Sequence, residues 1–217
     1  MNRRSLLYAM YDAMLEALGP SHWWPGETPF EVAVGAILTQ NTNWGNTARA
    51  IANLRAAGVL EPAALDALPD SRLAELIRPA GYFRLKAARL KNFLRFLRNE
   101  AGLSLAALNG KGLATLRPKL LEVKGVGPET ADSILLYALG KPTFVVDAYT
   151  RRILSRHAMI AEDAGYDEMR DLFMDALDPD PALFNEYHAL LVRVGKDFCR
   201  PKAPRCPACP LASFLER

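Results

Sequence analysis

Along most of the chain, apolar residues recur at intervals of three and four, the spacing that lays one face of an α-helix against a core. Leu90, Phe93, Leu94 and Leu97 fall on one such stripe, and Ala131, Ile134, Leu135 and Ala138 on another. Gly127-Pro128 opens the second stripe and Gly140 closes it. Proline in the first turn and glycine just past the last are the punctuation expected of a helix. Segments 30–40, 46–57, 165–177 and 182–194 behave the same way. The opening "MNRRSLLYAMYDAMLEAL" has Asp12 and Glu16 among its apolar positions, so it reads as an amphipathic helix and not as a signal peptide. Only "TFVV", residues 143–146, has the make-up of an extended piece, and so short and solitary a run cannot found a sheet. The pattern predicts an all-α fold, with no internal repeat and no long flexible linker.

Composition adds little to this, and charge somewhat more. With 217 residues, half of them apolar, the chain can build one large core or two small ones. No apolar run approaches a membrane span, so the expectation is a cytoplasmic protein with no membrane partner. The net charge of +3 is mild, but it is unevenly spread. From Arg84 to Arg98, "RLKAARLKNFLRFLR" holds six basic residues and no acidic one, with Arg84, Lys91, Arg95 and Arg98 on one stripe. Residues 161–186 are strongly acidic, with Arg170 the only base. Such asymmetry suggests one face for a polyanion and another turned away from it, although a basic run is also what a solvated helix surface looks like.

The stretch "LLEVKGVGPETADSILLYALG" (120–140) reads as helix, tight turn and helix. Gly125 and Gly127 let the turn adopt positive φ and approach another surface closely. The second helix then opens with unpaired N–H groups and a positive dipole end, a seat for phosphate, and Lys124 adds charge there. Lys124, Gly125, Val126, Gly127 and Thr130 are therefore the candidate contacts to a nucleic-acid backbone. Taken alone, G-V-G is equally what a packed αα-hairpin needs.

Three motifs agree in order and spacing: K-G-V-G-P-E-T-A, "VVDAYTRR", and the terminal "CRPKAPRCPACP". Together they resemble the helix-hairpin-helix (HhH-GPD) base-excision DNA glycosylases, in the endonuclease III branch, over roughly residues 25–210. The resemblance implies two all-α lobes with double-stranded DNA carrying a damaged base in the cleft between them. One lobe is a six-helix domain over 28–141. The other joins 1–27 to 142–217 and ends in an iron–sulfur-type loop. A monomer is expected, nucleoid-associated if the source is prokaryotic.

In that family the aspartate of the second motif, here Asp147, is the essential carboxylate. Breaking an N-glycosidic bond builds positive charge on the sugar, which a nearby carboxylate stabilises while it activates water. Asp147 also suits the N-cap of a helix starting at Ala148, a role worth about 1 kcal/mol. Bifunctional relatives carry a lysine eighteen positions before this aspartate, where this chain has Glu129. A lysine amine forms a Schiff base and proceeds to strand cleavage, and a carboxylate cannot. The resemblance therefore implies a monofunctional glycosylase using water. Lys124 and Lys141 lie nearby but not at the required position. The rivals are an oxidised-pyrimidine glycosylase/lyase with a relocated lysine and a damage-binding protein without turnover.

Gln40, in L-T-Q-N-T, stands where endonuclease III-like enzymes place a glutamine that fills the space of the extruded base, whose removal costs a few kcal/mol. It also reads simply as the polar end of a helix. Trp23, Trp24 and Trp44 are the only tryptophans, and the W-W-P that starts at Trp23 resembles the 3-methyladenine glycosylase subgroup. Electron-rich rings attract a cationic alkylated purine by about 0.5–2 kcal/mol, but tryptophans near a domain boundary also serve packing. Asn43 stands where mainstream members usually have an aspartate, which weakens a transfer of their oxidised-pyrimidine substrates.

Cys199, Cys206 and Cys209 are the only cysteines, and the resemblance places a fourth at position 215, which is leucine. Thiols at this spacing in a reducing compartment point to metal and not to a disulfide. The expectation is an iron–sulfur cluster, [4Fe–4S] with three cysteines and an unknown fourth ligand. A [3Fe–4S] cluster or an empty site are the alternatives. Zinc would need a histidine, of which His188 is nearest in sequence. The cluster's role would be to pin "RPKAPR" so that Arg200, Lys202 and Arg205 meet phosphates.

Overall fold

The computed structural model describes residues 2–24 and 26–215, and among these there is no β-strand. The chain divides into two compact units, Trp24–Lys141 and the combination of Met1–Trp23 with Pro142–Arg217.

The first unit is built around α2 (Pro29–Leu38), whose residues from Phe30 onward are all buried. Thr28 caps it, its hydroxyl accepting from the Glu31 amide at 3.1 Å. Glu31 is itself buried and bonds Arg55 of α3 (Trp44–Ala56) at 2.8 and 3.0 Å. Two short helices, α4 (Pro62–Ala67) and α5 (Asp70–Leu76), lead into α6 (Phe83–Ala101). Leu90, Phe93, Leu94 and Leu97 of α6 are fully buried, as their stripe predicts. Gly102 ends α6 in the left-handed conformation, and the Leu103 amide returns to the Leu97 carbonyl at 3.2 Å. Then come α7 (Leu113–Leu121) and α8 (Pro128–Ser133), the latter continued by a π-helical turn over Ile134–Ala138.

The basic run of α6 is not the uniform cationic face that its composition suggests. Lys86 is 1% exposed and donates to the Leu38 and Ala80 carbonyls at 2.8 and 2.7 Å, closing the end of α2. Lys91 donates to the carbonyls of Leu65, Asp66 and Leu68 at the end of α4. Arg98 pairs with Asp66, and Arg89 with the side chain of Gln40. Arg84 and Arg95 stay exposed, as does Arg98 beside Asp66. The physical reason is local: helix ends buried without solvent need donors, and long cationic side chains supply them.

The second unit packs α1 (Arg3–Leu18), α9 (Ala148–Arg156), α10 (Tyr166–Met174) and α11 (Pro181–Asp197). Leu7, Met10 and Met14 of α1 are buried, and Asp12 and Glu16 face outward. The "TFVV" segment is buried backbone without a strand partner. Its Phe144 stacks on Phe173 at 3.8 Å between ring centroids and meets Phe184 and Tyr187 edge-on. Tyr187 donates to the Leu7 carbonyl at 2.9 Å, and burial pushes its phenol well above the ordinary tyrosine range. No helix among the described residues is long and apolar enough to cross a membrane.

Candidate functional site

The hairpin of the first unit is organised by three side chains outside it. Gly125 has φ +96°, and a Cβ there would stand 2.4 Å from Cγ of Arg89. Gln40 donates from Nε2 to the Gly125 carbonyl at 3.0 Å and to the Thr130 hydroxyl at 2.8 Å, while its Oε1 accepts from Arg89. Asn92 donates to the Lys124 carbonyl at 2.9 Å. Val126 tucks inward, 5% exposed, with its amide on the Val123 carbonyl at 2.9 Å.

One expectation is corrected here. Only Gly125 has positive φ; Gly127 sits at φ −91°, and a Cβ on it would meet nothing within 4 Å. Thr130 is buried, and its hydroxyl accepts from Gln40 in an internal strut. Gln40 is the reciprocal partner in that strut. Lys124 and the Gly127 edge remain exposed, and the first turn of α8 also exposes Glu129. Arg89 and Asn92, which sequence reasoning passed over, lie one turn apart on α6 and fix the hairpin from outside. Asp132, on α8 and fully buried, holds Arg117 of α7 through contacts of 3.0–3.2 Å, locking the two arms together.

The aromatic residues form a cluster in the same unit. Trp24 meets Trp44 edge-to-face, with centroids 5.2 Å apart at 88°, and lies 5.2 Å from Tyr137 at 35°. Gly35 gives Trp24 room against α2: a Cβ there would already touch its Cζ2 at 3.4 Å. Tyr137 was not singled out from sequence. It sits in the π-helical turn, a local distortion that often marks a functional site. Trp23 belongs to the other unit. Pro25, the third member of W-W-P, lies outside the described residues.

In the second unit, Asp147 closes the buried 143–146 segment and opens α9. Its Oδ1 accepts from the Thr150 amide at 2.8 Å, so the cap role is real. Oδ2 faces His188 of α11, with Nε2 at 3.7 Å. The two side chains are 14% and 6% exposed. Burial drives the His188 imidazole towards its neutral form, and the Asp147 carboxylate opposes that shift more weakly.

The cysteine loop follows α11. Arg152 donates to the carbonyls of Cys199 and Gly195 at 2.6 and 2.9 Å. Arg156 donates to Cys199 Sγ at 3.3 Å and to the carbonyls of Arg200 and Pro201 at 2.8 and 3.2 Å. Arg200, Lys202 and Arg205 are exposed. Burial chiefly, and then the nearby Cys199 and Cys206 sulfurs, push the Cys209 thiol up, so the three sulfurs share one neighbourhood. Yet no three His, Cys, Asp or Glu side chains among the described residues converge on a point that would hold a metal ion. Leu215 supplies no donor, and Cys199 Sγ accepts from Arg156 at 3.3 Å. As placed, these residues do not close a four-ligand site, and His188 faces Asp147.

A family model described as HhH-GPD superfamily base excision DNA repair protein matches residues 34–179. A protein of Methanocaldococcus jannaschii, provisionally named a DNA repair glycosylase, is 48% identical over 214 residues, 98% of this chain and 97% of its own. Among solved structures, H. pylori 3-methyladenine DNA glycosylase bound to 1,N6-ethenoadenine is similar with a TM-score of 0.78 and 28% identity, covering 90% of this chain and 98% of that one. An endonuclease III in non-covalent complex with DNA gives a TM-score of 0.82 over 100% of this chain and 96% of that one; at 21% identity the likeness is one of fold alone.

Proposed function

The chain belongs to the HhH-GPD superfamily of base excision DNA repair proteins and is a DNA glycosylase of endonuclease III type, and from that premise we propose a monofunctional enzyme that releases alkylated purines by hydrolysis. The observation that carries the reading is the pair of carboxylates: Asp147 is anchored by the Thr150 amide, while Glu129 occupies the first turn of α8 where a bifunctional relative needs an amine. Neither can form an imine.

A purine alkylated on a ring nitrogen is cationic. When its N-glycosidic bond breaks, the base takes the bonding electron pair and departs neutral, so it needs no proton. The sugar is left as an oxocarbenium ion. The Asp147 carboxylate stabilises that charge and accepts the proton of the water whose oxygen joins C1′. Trp24, Trp44 and Tyr137 offer π faces to a cationic base, and Trp23 is a further candidate for the base site. The similarity to a 3-methyladenine glycosylase supports this choice of base.

Double-stranded DNA is held through its phosphates. Lys124 and the backbone of Gly125 and Gly127 grip one strand, with Val126 anchoring the turn from inside, and the exposed cations Arg200, Lys202 and Arg205 add sequence-independent contacts. Gln40 supports the hairpin in the free protein, and entering the vacated stack requires it to leave those partners. No step passes through an iron–sulfur cluster. Iron and sulfide content of the purified protein decides whether Cys199, Cys206 and Cys209 carry one.

The test is Asp147→Asn, which keeps the cap acceptor and removes the charge. Single-turnover base release from methylated duplex DNA is expected to fall by about 10²-fold or more, with duplex affinity unchanged. Equal release by both proteins removes Asp147 from the mechanism.

A further inference from the structure

The two oxygens of the Asp147 carboxylate have different environments. Oδ1 is fixed by the Thr150 amide at 2.8 Å; Oδ2 looks at Nε2 of His188, 3.7 Å away, inside the second unit. The histidine does not float there. It lies on a mostly buried stretch of α11, is 5% exposed itself, and meets Phe144 edge-on with centroids 6.4 Å apart at 84°. Phe144 belongs to the same buried segment that ends in Asp147, so one piece of backbone supplies both the carboxylate and a wall of the imidazole's slot.

We propose that His188 is a positioning residue for Asp147, donating Nε2–H to Oδ2 so that the carboxylate, held at Oδ1 by Thr150, is fixed in a single orientation while the glycosidic bond breaks. The distance is longer than a hydrogen bond. A modest rotation of the carboxylate about its Oδ1 anchor closes it, and catalytic contacts commonly tighten only when charge develops. The donor's charge state matters. A histidinium would form an ion pair and compensate the very charge that has to face the sugar cation. A neutral imidazole orients the carboxylate and leaves its charge intact, and burial of His188 favours that form. This rests on Asp147 being the catalytic carboxylate. It adds a second side chain to that site, drawn from an element 41 residues further along (188 − 147).

The experiment uses the full chain with His188→Leu and His188→Gln, with Asp147→Asn as reference. Leucine fills much of the slot without a donor; the glutamine amide places N–H near the position of Nε2. Release of base from methylated duplex DNA is measured under single turnover, and affinity on a duplex carrying a tetrahydrofuran abasic analogue. His188→Leu is expected to slow release by on the order of 10- to 100-fold, the loss of one hydrogen bond to a charged group. Its affinity should stay within about twofold, and His188→Gln should recover most of the rate. Leucine at the wild-type rate, or leucine and glutamine equally impaired, overturns the proposal while a silent Asp147→Asn leaves the catalytic reading standing. An active Asp147→Asn sinks that reading instead. Independently of any variant, ¹⁵N-histidine spectra of the wild-type protein should show His188 neutral and protonated on Nε2; the Nδ1–H tautomer or an imidazolium overturns the proposal.

Discussion

The two glycines of the hairpin make opposite predictions although they stand two residues apart. Gly125→Ala forces a Cβ onto a backbone at φ +96° and to within 2.4 Å of Arg89 Cγ. Holding a non-glycine residue in that region costs about 1–3 kcal/mol. Displacing Arg89 loses its charge-assisted bond to Gln40, a further ~1.5–3 kcal/mol. With partial relaxation of Arg89 the variant should lose about 2–5 kcal/mol, roughly 5–15 °C in melting temperature for a chain of this size. Gly127→Ala meets φ −91° and open space, so its stability should change by no more than about 0.5 kcal/mol. If the hairpin grips phosphate, that same methyl projects onto the gripping face, and removing one backbone-to-phosphate hydrogen bond weakens duplex affinity by on the order of tenfold or more. Thermal melting and fluorescence anisotropy with an abasic-analogue duplex read both quantities on each variant. A Gly127→Ala protein that binds as tightly as wild type refutes the assignment of this edge to DNA. A Gly125→Ala protein of unchanged stability refutes the account of the turn.

Arg117→Met removes the guanidinium paired with the fully buried Asp132 carboxylate and should destabilise the first unit by about 3–5 kcal/mol in urea unfolding; a change under about 1 kcal/mol would show that the pair does not lock α7 to α8. Glu100 accepts from Lys111 at 2.9 Å and Lys119 at 2.7 Å, which together hold its carboxyl down at about 2. Because the folded form is depressed, its contribution is complete above the ordinary glutamate range and lost as pH falls towards 2. The stability difference between wild type and Glu100→Gln should therefore be constant from neutral pH to about 4.5 and vanish near pH 2, and a difference that persists there contradicts the assignment. Glu129→Lys restores an amine at the position bifunctional relatives use. Borohydride should trap this variant, and not the wild type, on abasic DNA; no capture would show that position alone does not confer the chemistry.

How much of this was legible in the sequence depends on the range of the interaction. The helices and their buried stripes follow from local periodicity, which is why Leu90 to Leu97 needed no structure. The helix cap at Asp147 was legible in the sequence and is seen directly at Oδ1. The basic run of α6 misled because charge composition does not reveal partners: Lys86 and Lys91 serve carbonyls 6 to 48 residues away in sequence. Gln40 and Thr130 face each other across 90 residues, and no local signal announces that. The two hairpin glycines looked equivalent because a glycine's sequence context does not tell positive from negative φ. His188 was noticed only for its distance in sequence from the cysteines, whereas packing of α11 on α9 brings it to Asp147. The cysteine loop was expected to be pinned by metal, and the guanidinium groups of Arg152 and Arg156 anchor its backbone.

The most direct test of the central claim is to incubate the purified protein with methylated duplex DNA, identify the released bases by mass spectrometry, and run the same DNA on a denaturing gel. Release of 3-methyladenine that leaves alkali-labile but unbroken strands is the predicted result. Strand scission accompanying release, or release confined to oxidised pyrimidines on a parallel substrate, would contradict a monofunctional alkylpurine glycosylase.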